Sequence, residues 1–334
     1  MIEIHDLYKY YGDRRAVGPV STSIEQGEIV GLLGLNGAGK TTTLRILACD
    51  LLPTSGTVRV DGVDVVERPD EVRARIGYLP DTPPVYTEMR VREYLQFAAR
   101  LRGMNGADAA RRVEEVMELT EVREYADDVI AALSHGFRQR VGIAQAIVHK
   151  PRLVVLDEPI SGLDPVQIVE MRALVKNLGG EHTVVVSSHI LNEISETCDR
   201  ILVIQDGKIV ASGSEAELSS QLAEGVRIEL TVKGSEVESR AREALWTVPA
   251  VREVELVGAR EAGADVRSFV VLASEDVRDR VSRSIIEAGL GLLELSRSER
   301  ELERMFLQLS RGGRAQNGSS AGADAPQLTS GGLS

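Results

Sequence analysis

Cysteine is nearly absent from this sequence, with Cys49 and Cys198 as the two examples among 334 residues. Their spacing matches no metal-binding or redox motif. This excludes a cysteine-based metal or redox centre. We therefore expect both side chains to be small apolar core residues in a protein from a reducing compartment.

Long apolar runs are missing as well. No stretch approaches the ~20 residues that a membrane-spanning helix requires. The N-terminus also lacks the pattern of a signal peptide. We expect a cytoplasmic protein, so that any membrane crossing has to be done by another chain.

Positive charge is scarce, because 39 Lys and Arg residues stand against 51 Asp and Glu residues and the formal net charge is −12. Broad, sequence-independent nucleic-acid binding needs clustered basic side chains. The acidic balance argues against that class of function, although a local basic patch stays possible. No nucleic-acid partner is expected.

A phosphate-binding motif is present near the N-terminus. Its residues fit G-x-x-x-x-G-K-[ST] at every fixed position, and they are Gly34, Leu35, Asn36, Gly37, Ala38, Gly39, Lys40 and Thr41. An apolar run at 28–33 predicts a strand before it, and Thr42 begins a predicted helix. Backbone amides of such a loop cradle phosphates, the lysine reaches the β- and γ-phosphates, and the hydroxyl of Thr41 binds Mg²⁺. The alternative is a glycine-rich turn without a ligand, which this context disfavours.

Two adjacent acids follow a second apolar run. Residues 153–156 predict a central parallel strand that is buried on both faces, and Asp157 and Glu158 come directly after it. Carboxylates at this position are costly unless they have partners or a role. Asp157 can hold Mg²⁺ beside Thr41, and Glu158 can accept a proton from water. A solvated strand end is the alternative for one of the two acids.

Three weaker candidates lie elsewhere. Tyr11 follows the first predicted strand and could stack on a base, although alone it is more typical of a packed aromatic. Ser134 can cap a helix that runs to about residue 149 and leave its amides facing an anion. His189 ends a predicted buried strand at 183–189, and ligands bind at the carboxyl ends of strands in α/β nucleotide folds.

The sequence pattern predicts two domains and a C-terminal tail. Residues 1–218 form an α/β domain with a helical insertion at about 88–150, broken by Gly103 and Gly106. Residues 2–10 predict an edge strand in this domain. Residues 219–310 follow the order β-α-β-β-α-β of a ferredoxin-like α+β fold and then a last helix, Glu299 to Leu309. The composition of residues 311–334 predicts disorder.

Taken together, these motifs resemble the ATP-binding subunit of ABC transporters over about residues 1–215, and the fold implied is that of a P-loop NTPase. The loop at 34–41 is similar to the family's Walker A motif and residues 153–158 are similar to its Walker B motif. The other matches are the LSGGQ-like signature at residues 133–137, the D-loop at residues 161–164, the switch histidine His189 and the adenine-stacking Tyr11.

The resemblance implies ATP and Mg²⁺ as cofactors and a role for each matching residue. Glu158 and His189 are the implied catalytic residues, and Thr41, Asp157 and Asp81 are the implied metal-binding residues. The implied nucleotide-binding residues are Tyr11, Gly34, Asn36, Gly37, Ala38, Gly39, Lys40, Thr41, Thr42, Ser134, Gly136 and Asp164.

Four positions depart from the family pattern. His135 and Phe137 replace Gly and Gln of the signature, whereas Ser134 and Gly136 are kept. Asp81 stands where the family usually has Gln, and Ile160 replaces a small hydroxyl residue. Function is expected to survive the changes at His135 and Phe137, while Asp81 adds negative charge near the triphosphate.

The expected function is that of an ATP-hydrolysing motor subunit, with the C-terminal region similar to that of ATPases serving type-two exporters. The implied partners are a second ATP-binding subunit, as in a homodimer, and a multi-span membrane permease that holds the protein at the inner face of the membrane. The alternatives are an importer ATPase and a soluble ABC ATPase acting on ribosomes or DNA. A single cassette, no sustained heptads and an acidic charge argue against the soluble alternative.

Overall fold

The computed structural model describes residues 1–222, 226–257 and 265–297. The chain divides into two compact units, of which the first comprises Met1–Glu215 and the second takes in the described residues of 216–297. The division falls three residues before the predicted boundary at 218. The predicted last helix at 299–309 and the predicted disordered tail at 311–334 lie outside the described residues.

The first unit contains two sheets. Its strands are β1 (Ile2–Tyr11), β2 (Arg14–Ile24), β3 (Ile29–Leu33), β4 (Ser55–Val60), β5 (Val63–Asp64), β6 (Ile76–Leu79), β7 (Leu153–Leu156), β8 (Thr183–Ser188), β9 (Arg200–Gln205) and β10 (Lys208–Gly213). An antiparallel sheet has the order β2-β1-β4-β5, and a second sheet has the order β10-β9-β3-β8-β7-β6. All neighbours in the second sheet are parallel except β9 and β10, which form an antiparallel hairpin.

The centre of the parallel sheet is fully buried. Every residue of β3, β7 and β8 is buried, as expected for apolar strands that are covered on both faces. These strands are adjacent in the order β3-β8-β7, so their carboxyl ends lie side by side. The phosphate loop, the two acids and His189 each follow one of these ends, which brings three distant segments to one edge.

Helices surround and follow these strands. They are α1 (Lys40–Leu47), α2 (Pro69–Arg73), α3 (Val91–Leu101), α4 (Gly106–Leu119), α5 (His135–Ile147), α6 (Pro165–Leu178), α7 (Leu191–Ser195) and α8 (Glu215–Leu222). The predicted break in the helical insertion is confirmed, because α3 ends before Gly103 and α4 begins at Gly106. Arg112 of α4 is buried and donates hydrogen bonds to the carbonyls of Ile147 and Val148, which tie α4 to the end of α5.

The prediction that residues 2–10 form an edge strand was wrong. Strand β1 pairs with β2 on one side and with β4 on the other. Its alternating buried and exposed residues reflect a sheet with one exposed face, and this pattern is the same for edge and inner strands. The alternation of apolar and polar residues therefore cannot by itself distinguish an edge strand from an inner strand.

The second unit has the predicted ferredoxin-like topology. Its elements are β11 (Val226–Lys233), α9 (Val237–Trp246), β12 (Val251–Leu256), β13 (Val266–Ala273), α10 (Arg278–Glu287) and β14 (Gly291–Arg297). The sheet order is β12-β13-β11-β14, and all neighbouring strands are antiparallel. Its core is built from buried apolar residues of this unit, with Phe269 the largest.

Within the described ranges, every helix is too short or too polar to cross a lipid bilayer.

Candidate nucleotide site

The phosphate loop leads directly into helix α1. Gly39 is the N-cap of α1 with φ 110°, and a Cβ atom there would lie 2.8 Å from the carbonyl oxygen of Ala16. Both the backbone conformation and the close approach therefore require glycine. No side chain caps this helix, so its first amides are available to bind an anion.

Lys40 is held at the centre of the site. Its side chain is 5% exposed, and Nζ donates to the carbonyl oxygen of Gly34 at 2.7 Å and to that of Leu35 at 3.3 Å. Nζ also lies 3.1 Å from Oε1 of Glu158. The lysine is thus ordered by the loop that it follows and paired with the carboxylate of Glu158, which follows strand β7.

Glu158 links Lys40 to the predicted switch histidine. Its Oε2 accepts a hydrogen bond from Nδ1 of His189 at 2.8 Å, and the proton is assigned to Nδ1 because an ionised carboxylate can only accept. The backbone of Glu158 has φ 50°, a left-handed conformation that is costly for a residue with a Cβ atom. Such strain is typical of sites where orientation matters more than stability.

Asp157 lies beneath the pocket and is fully buried. Burial raises the pKa of its carboxyl group, hydrogen bonds from the hydroxyls of Ser187 and Thr41 lower it, and the nearby charges of Glu158 and Asp81 raise it again. Oδ1 accepts from the Ser187 hydroxyl at 2.6 Å. Oδ2 is buried and makes no hydrogen bond of normal geometry to any described residue.

These residues fit a magnesium ion. Three carboxylates, those of Asp81, Asp157 and Glu158, interact with one another here, and a divalent cation would offset their mutual repulsion. The unpartnered Oδ2 of Asp157 and the hydroxyl of Thr41 are oxygen donors of the kind that Mg²⁺ prefers. The described residues contain no cluster of three or more His, Cys, Asp or Glu side chains that could hold a metal alone. The remaining ligands would come from phosphate and water.

A pocket of about 1040 Å³ lies in front of these groups. The predicted site residues that line it are Tyr11, Asn36, Gly37, Gly39, Lys40, Thr41, Thr42, Asp81, Glu158 and His189. Tyr11 is half exposed at 49%, and Nζ of Lys9 lies 5.2 Å from the centre of its ring. An exposed ring in the pocket favours stacking on a base over packing in the core.

Gly34 and Ala38 contribute to the loop from behind the pocket. Gly34 accepts the hydrogen bond from Lys40, and a Cβ atom there would lie 2.6 Å from the carbonyl oxygen of Ile204. Ala38 is buried, and its carbonyl accepts from the amide of Gly207 at 2.9 Å. Both residues therefore fix the path of the loop against the β9–β10 hairpin.

The residues predicted at the signature do not line this pocket. Ser134 is the N-cap of α5, and its Oγ accepts from the amide of Phe137 at 3.3 Å, which confirms the predicted cap. A Cβ atom on Gly136 would lie 2.7 Å from Oε1 of Gln167, so the side chain of Gln167 on α6 would have to move to admit it. The start of α5 is a second helix N-terminus, separate from that of α1.

The two unusual signature residues each have a contact. Nε2 of His135 lies 3.2 Å from the carbonyl oxygen of Ser161 and donates to it, since a carbonyl can only accept. The Phe137 ring packs against Tyr125 with centroids 4.3 Å apart. Because Ser161 lines the pocket, His135 connects the N-terminus of α5 to the loop beside the nucleotide site.

Asp164 caps helix α6 instead of facing the pocket. Its Oδ1 accepts from the amides of Val166 at 3.0 Å and Gln167 at 2.9 Å. This cap orders the loop that carries Ser161, and a cap of this kind contributes about 1 kcal/mol to helix stability. Asp164 would therefore contact a nucleotide only if that nucleotide were bound to another chain.

Several residues of the pocket were missed by the sequence analysis. They are Arg14, Arg15, Ala16 and Asp206, whereas Leu35 and Ser161 lie in the predicted phosphate loop and D-loop but were given no role of their own. Two adjacent arginines just after a turn that follows Tyr11 were a usable signal. Asp206 had none, because the turn between β9 and β10 reaches the pocket only through the tertiary fold.

Comparison with known proteins agrees with this geometry. The family model described as ABC transporter matches residues 17–161. The bacitracin transport ATP-binding protein BcrA of Bacillus licheniformis is 31% identical over 315 residues, which cover 94% of this chain and 98% of that protein. The linearmycin resistance ATP-binding protein LnrL of Bacillus subtilis is 32% identical over 315 residues, covering 93% and 98%.

A solved structure shows the same fold. The dimeric structure of MJ0796, a bacterial ABC transporter cassette, superimposes with a TM-score of 0.59 at 28% sequence identity, covering 64% of this chain and 98% of that one. With the Lys40, Asp157, Glu158 and His189 arrangement and two relatives aligned over nearly their whole length, this chain belongs to the ATP-binding subunits of ABC transporters, the ATPases that act as their motors.

Proposed function

We propose that this chain hydrolyses Mg²⁺-bound ATP in the described pocket and that the resulting motion powers an exporter. The observation that carries the proposal is the continuous contact from Lys40 through Glu158 to His189 at the mouth of the pocket. Phosphoryl transfer to water needs charge neutralisation at the γ-phosphate and an oriented water molecule. In this chain of contacts, Lys40 is the cation that can neutralise the γ-phosphate. Glu158, held by His189, is the base that can orient the water molecule.

Each residue has a separate part in the proposed reaction. Lys40 and the free amides of α1 bind the β- and γ-phosphates. Glu158 orients the water whose oxygen attacks the γ-phosphorus and accepts its proton, while ADP leaves. His189 holds the carboxylate of Glu158 through Nδ1. Mg²⁺, when held by Thr41 and Asp157 with Asp81 nearby, offsets the negative charge that develops on the phosphates.

The proposed assembly is a head-to-tail homodimer. At the start of α5, Ser134 is exposed and Gly136 is buried beside it, and both lie outside the pocket of their own chain, so this helix end could close the pocket of a partner. A helix N-terminus stabilises an anion, and here the anion would be the γ-phosphate of the partner's ATP. The dimeric relative MJ0796 supports this arrangement.

The proposed partner is a multi-span permease at the inner face of the membrane. Two relatives named for bacitracin transport and linearmycin resistance align over nearly their full length, second unit included. This favours export over import, and it favours a transporter over the ribosomal or DNA-acting alternative. We propose residues 219–310 as an accessory domain of this exporter type.

Glu158→Gln tests the proposal, because the amide keeps the shape of the side chain but is a poor proton acceptor. We expect ATP binding to persist, turnover to fall by at least ~100-fold, the lower end of the usual contribution of acid–base catalysis, and a dimer to accumulate with ATP. Phosphate release measures turnover, and sizing chromatography measures the accumulation of the dimer. A monomer with hydrolysis near wild type would contradict the assignment, and co-purification of a permease tests the transporter part.

A further inference from the structure

Ser187 connects the two acidic residues of the pocket from a neighbouring strand. It lies in β8, is fully buried and sits beside the carboxyl end of β7. Its Oγ donates to Oδ1 of Asp157 at 2.6 Å and accepts from the amide of Glu158 at 3.0 Å. One hydroxyl thus uses its proton on the first acid and a lone pair on the backbone of the second.

We propose that Ser187 is a positioning residue for ATP hydrolysis, which sets the orientation of Asp157 and Glu158 together. The inference rests on the proposed roles of these two acids. Because Ser187 occupies Oδ1 of Asp157, Oδ2, which has no hydrogen bond of normal geometry to any described residue, would be the oxygen presented to the cation. Hydrogen bonds behind a metal-binding carboxylate orient it and tune its affinity.

Glu158 depends on the same hydroxyl for a different reason. Its left-handed backbone is unfavourable unless neighbouring contacts hold it. Lys40 and His189 hold the carboxylate end of the side chain, and Ser187 holds the backbone amide. Loss of the hydroxyl leaves a buried donor and a buried acceptor without their partner, so metal position and base position change together.

The strand itself offers a matched control. Thr183 lies at the opposite end of β8, is also buried, and its hydroxyl accepts from the amide of Gly27 at 2.9 Å. Thr183→Val removes a buried hydroxyl from the same strand without touching either acid. Any general weakening of β8 is common to both substitutions, whereas the effect on the acids is specific to Ser187.

The experiment measures Mn²⁺ binding by electron paramagnetic resonance in the full chain with a non-hydrolysable ATP analogue, alongside steady-state turnover. We expect Ser187→Ala to weaken Mn²⁺ binding by about 10- to 100-fold, the usual cost of losing such a supporting hydrogen bond, and to lower kcat more than it raises KM for ATP. Ser187→Thr keeps the hydroxyl and should retain tight binding. Thr183→Val should resemble the wild type.

Asp157→Asn separates this inference from the proposed function. If Asp157→Asn weakens Mn²⁺ binding and Ser187→Ala does not, the role of Ser187 is overturned and the metal site stands. If Asp157→Asn binds Mn²⁺ normally, the proposed metal site itself fails. Equal losses in Ser187→Ala and Ser187→Thr would assign the effect to packing. Should the alanine variant not fold, Ser187→Val replaces it as the counterpart of Ser187→Thr that lacks the hydroxyl, and unchanged Mn²⁺ binding there overturns the proposal.

Discussion

Helices α1 and α5 both begin with an N-terminus suited to an anion, but their surroundings differ. The start of α1 follows a glycine-rich loop and has Lys40, Glu158 and His189 in one connected group. The start of α5 has an exposed serine cap, and neither Ser134 nor Gly136 lines the pocket. One N-terminus has the groups needed for chemistry beside it, and the other offers amides and a hydroxyl alone.

The difference explains why one chain would contain only half of a working site. The α1 end can bind phosphate by itself, because the Lys40 ammonium group and the free amides of α1 converge there. The α5 end can only add neutralisation to a phosphate that another chain brings. ATP binding and turnover therefore depend on different ends, and substitutions should separate the two properties.

The largest expected effect compares Lys40→Ala with Gly136→Asp. Lys40→Ala should weaken ATP binding by about 100-fold, because a charge-assisted contact to phosphate contributes about 1.5–3 kcal/mol. Gly136→Asp should leave ATP binding to the monomer unchanged but abolish dimer formation, since its carboxylate would face the partner's phosphate. Fluorescent-nucleotide titration and light scattering measure the two properties.

Gln167→Ala is the control for Gly136→Asp, because it removes the side chain that a new Cβ atom would meet. If the double variant regains ATP-dependent dimers, the loss came from a clash within the chain. If Gly136→Asp also weakens ATP binding to the monomer, the N-termini of α1 and α5 do not act separately, and the proposed difference between them is wrong.

His149, which follows the C-terminal end of α5, is expected to make the stability of the folded chain depend on pH. Burial, with help from Arg102, lowers the pKa of His149 from 6.5 to about 4. Its Nε2 lies 3.1 Å from the carbonyl oxygen of Ile76, while Nδ1 is buried and has no hydrogen-bond partner among the residues that the structure describes. The unfolded chain therefore takes up the proton first, so stability falls as pH drops from 6.5 towards 4.

Between pH 7.5 and 5 this histidine should cost the folded chain up to about 2 kcal/mol. His149→Gln can still donate to the Ile76 carbonyl but cannot be protonated, so its stability should fall less over the same range. Urea denaturation of both proteins at the two pH values gives the difference. Parallel pH dependence would show that His149 takes up its proton without penalty.

The smallest expected effect concerns His135, which joins the start of α5 to the pocket loop. His135→Gly should lower turnover by about threefold with unchanged ATP binding to the monomer, because an exposed hydrogen bond contributes about 0.5–1 kcal/mol. Phosphate-release rates measure it, with His135→Ala to account for added backbone freedom. Faster turnover in the glycine variant would mean that His135 hinders the signature.

Local patterns predicted most elements of both units. The phosphate loop, the capped helix at Ser134 and the β-α-β-β-α-β order each depend on residues close in sequence, where turn chemistry and period are informative. The predicted edge strand failed because strand partners come from distant segments. Asp206 was missed for the same reason, since a pocket wall is assembled from separate loops.

The amino-acid sequence by itself determined which chemical groups this protein has: a phosphate loop, two acids after a buried strand and a histidine after another. Those features follow from local backbone preferences and apolar runs. Only the tertiary structure decided that β3, β8 and β7 are neighbours, so that Lys40, Glu158 and His189 meet and Ser187 lies behind both acids. Strand order depends on packing of the whole sheet, and no local pattern encodes it.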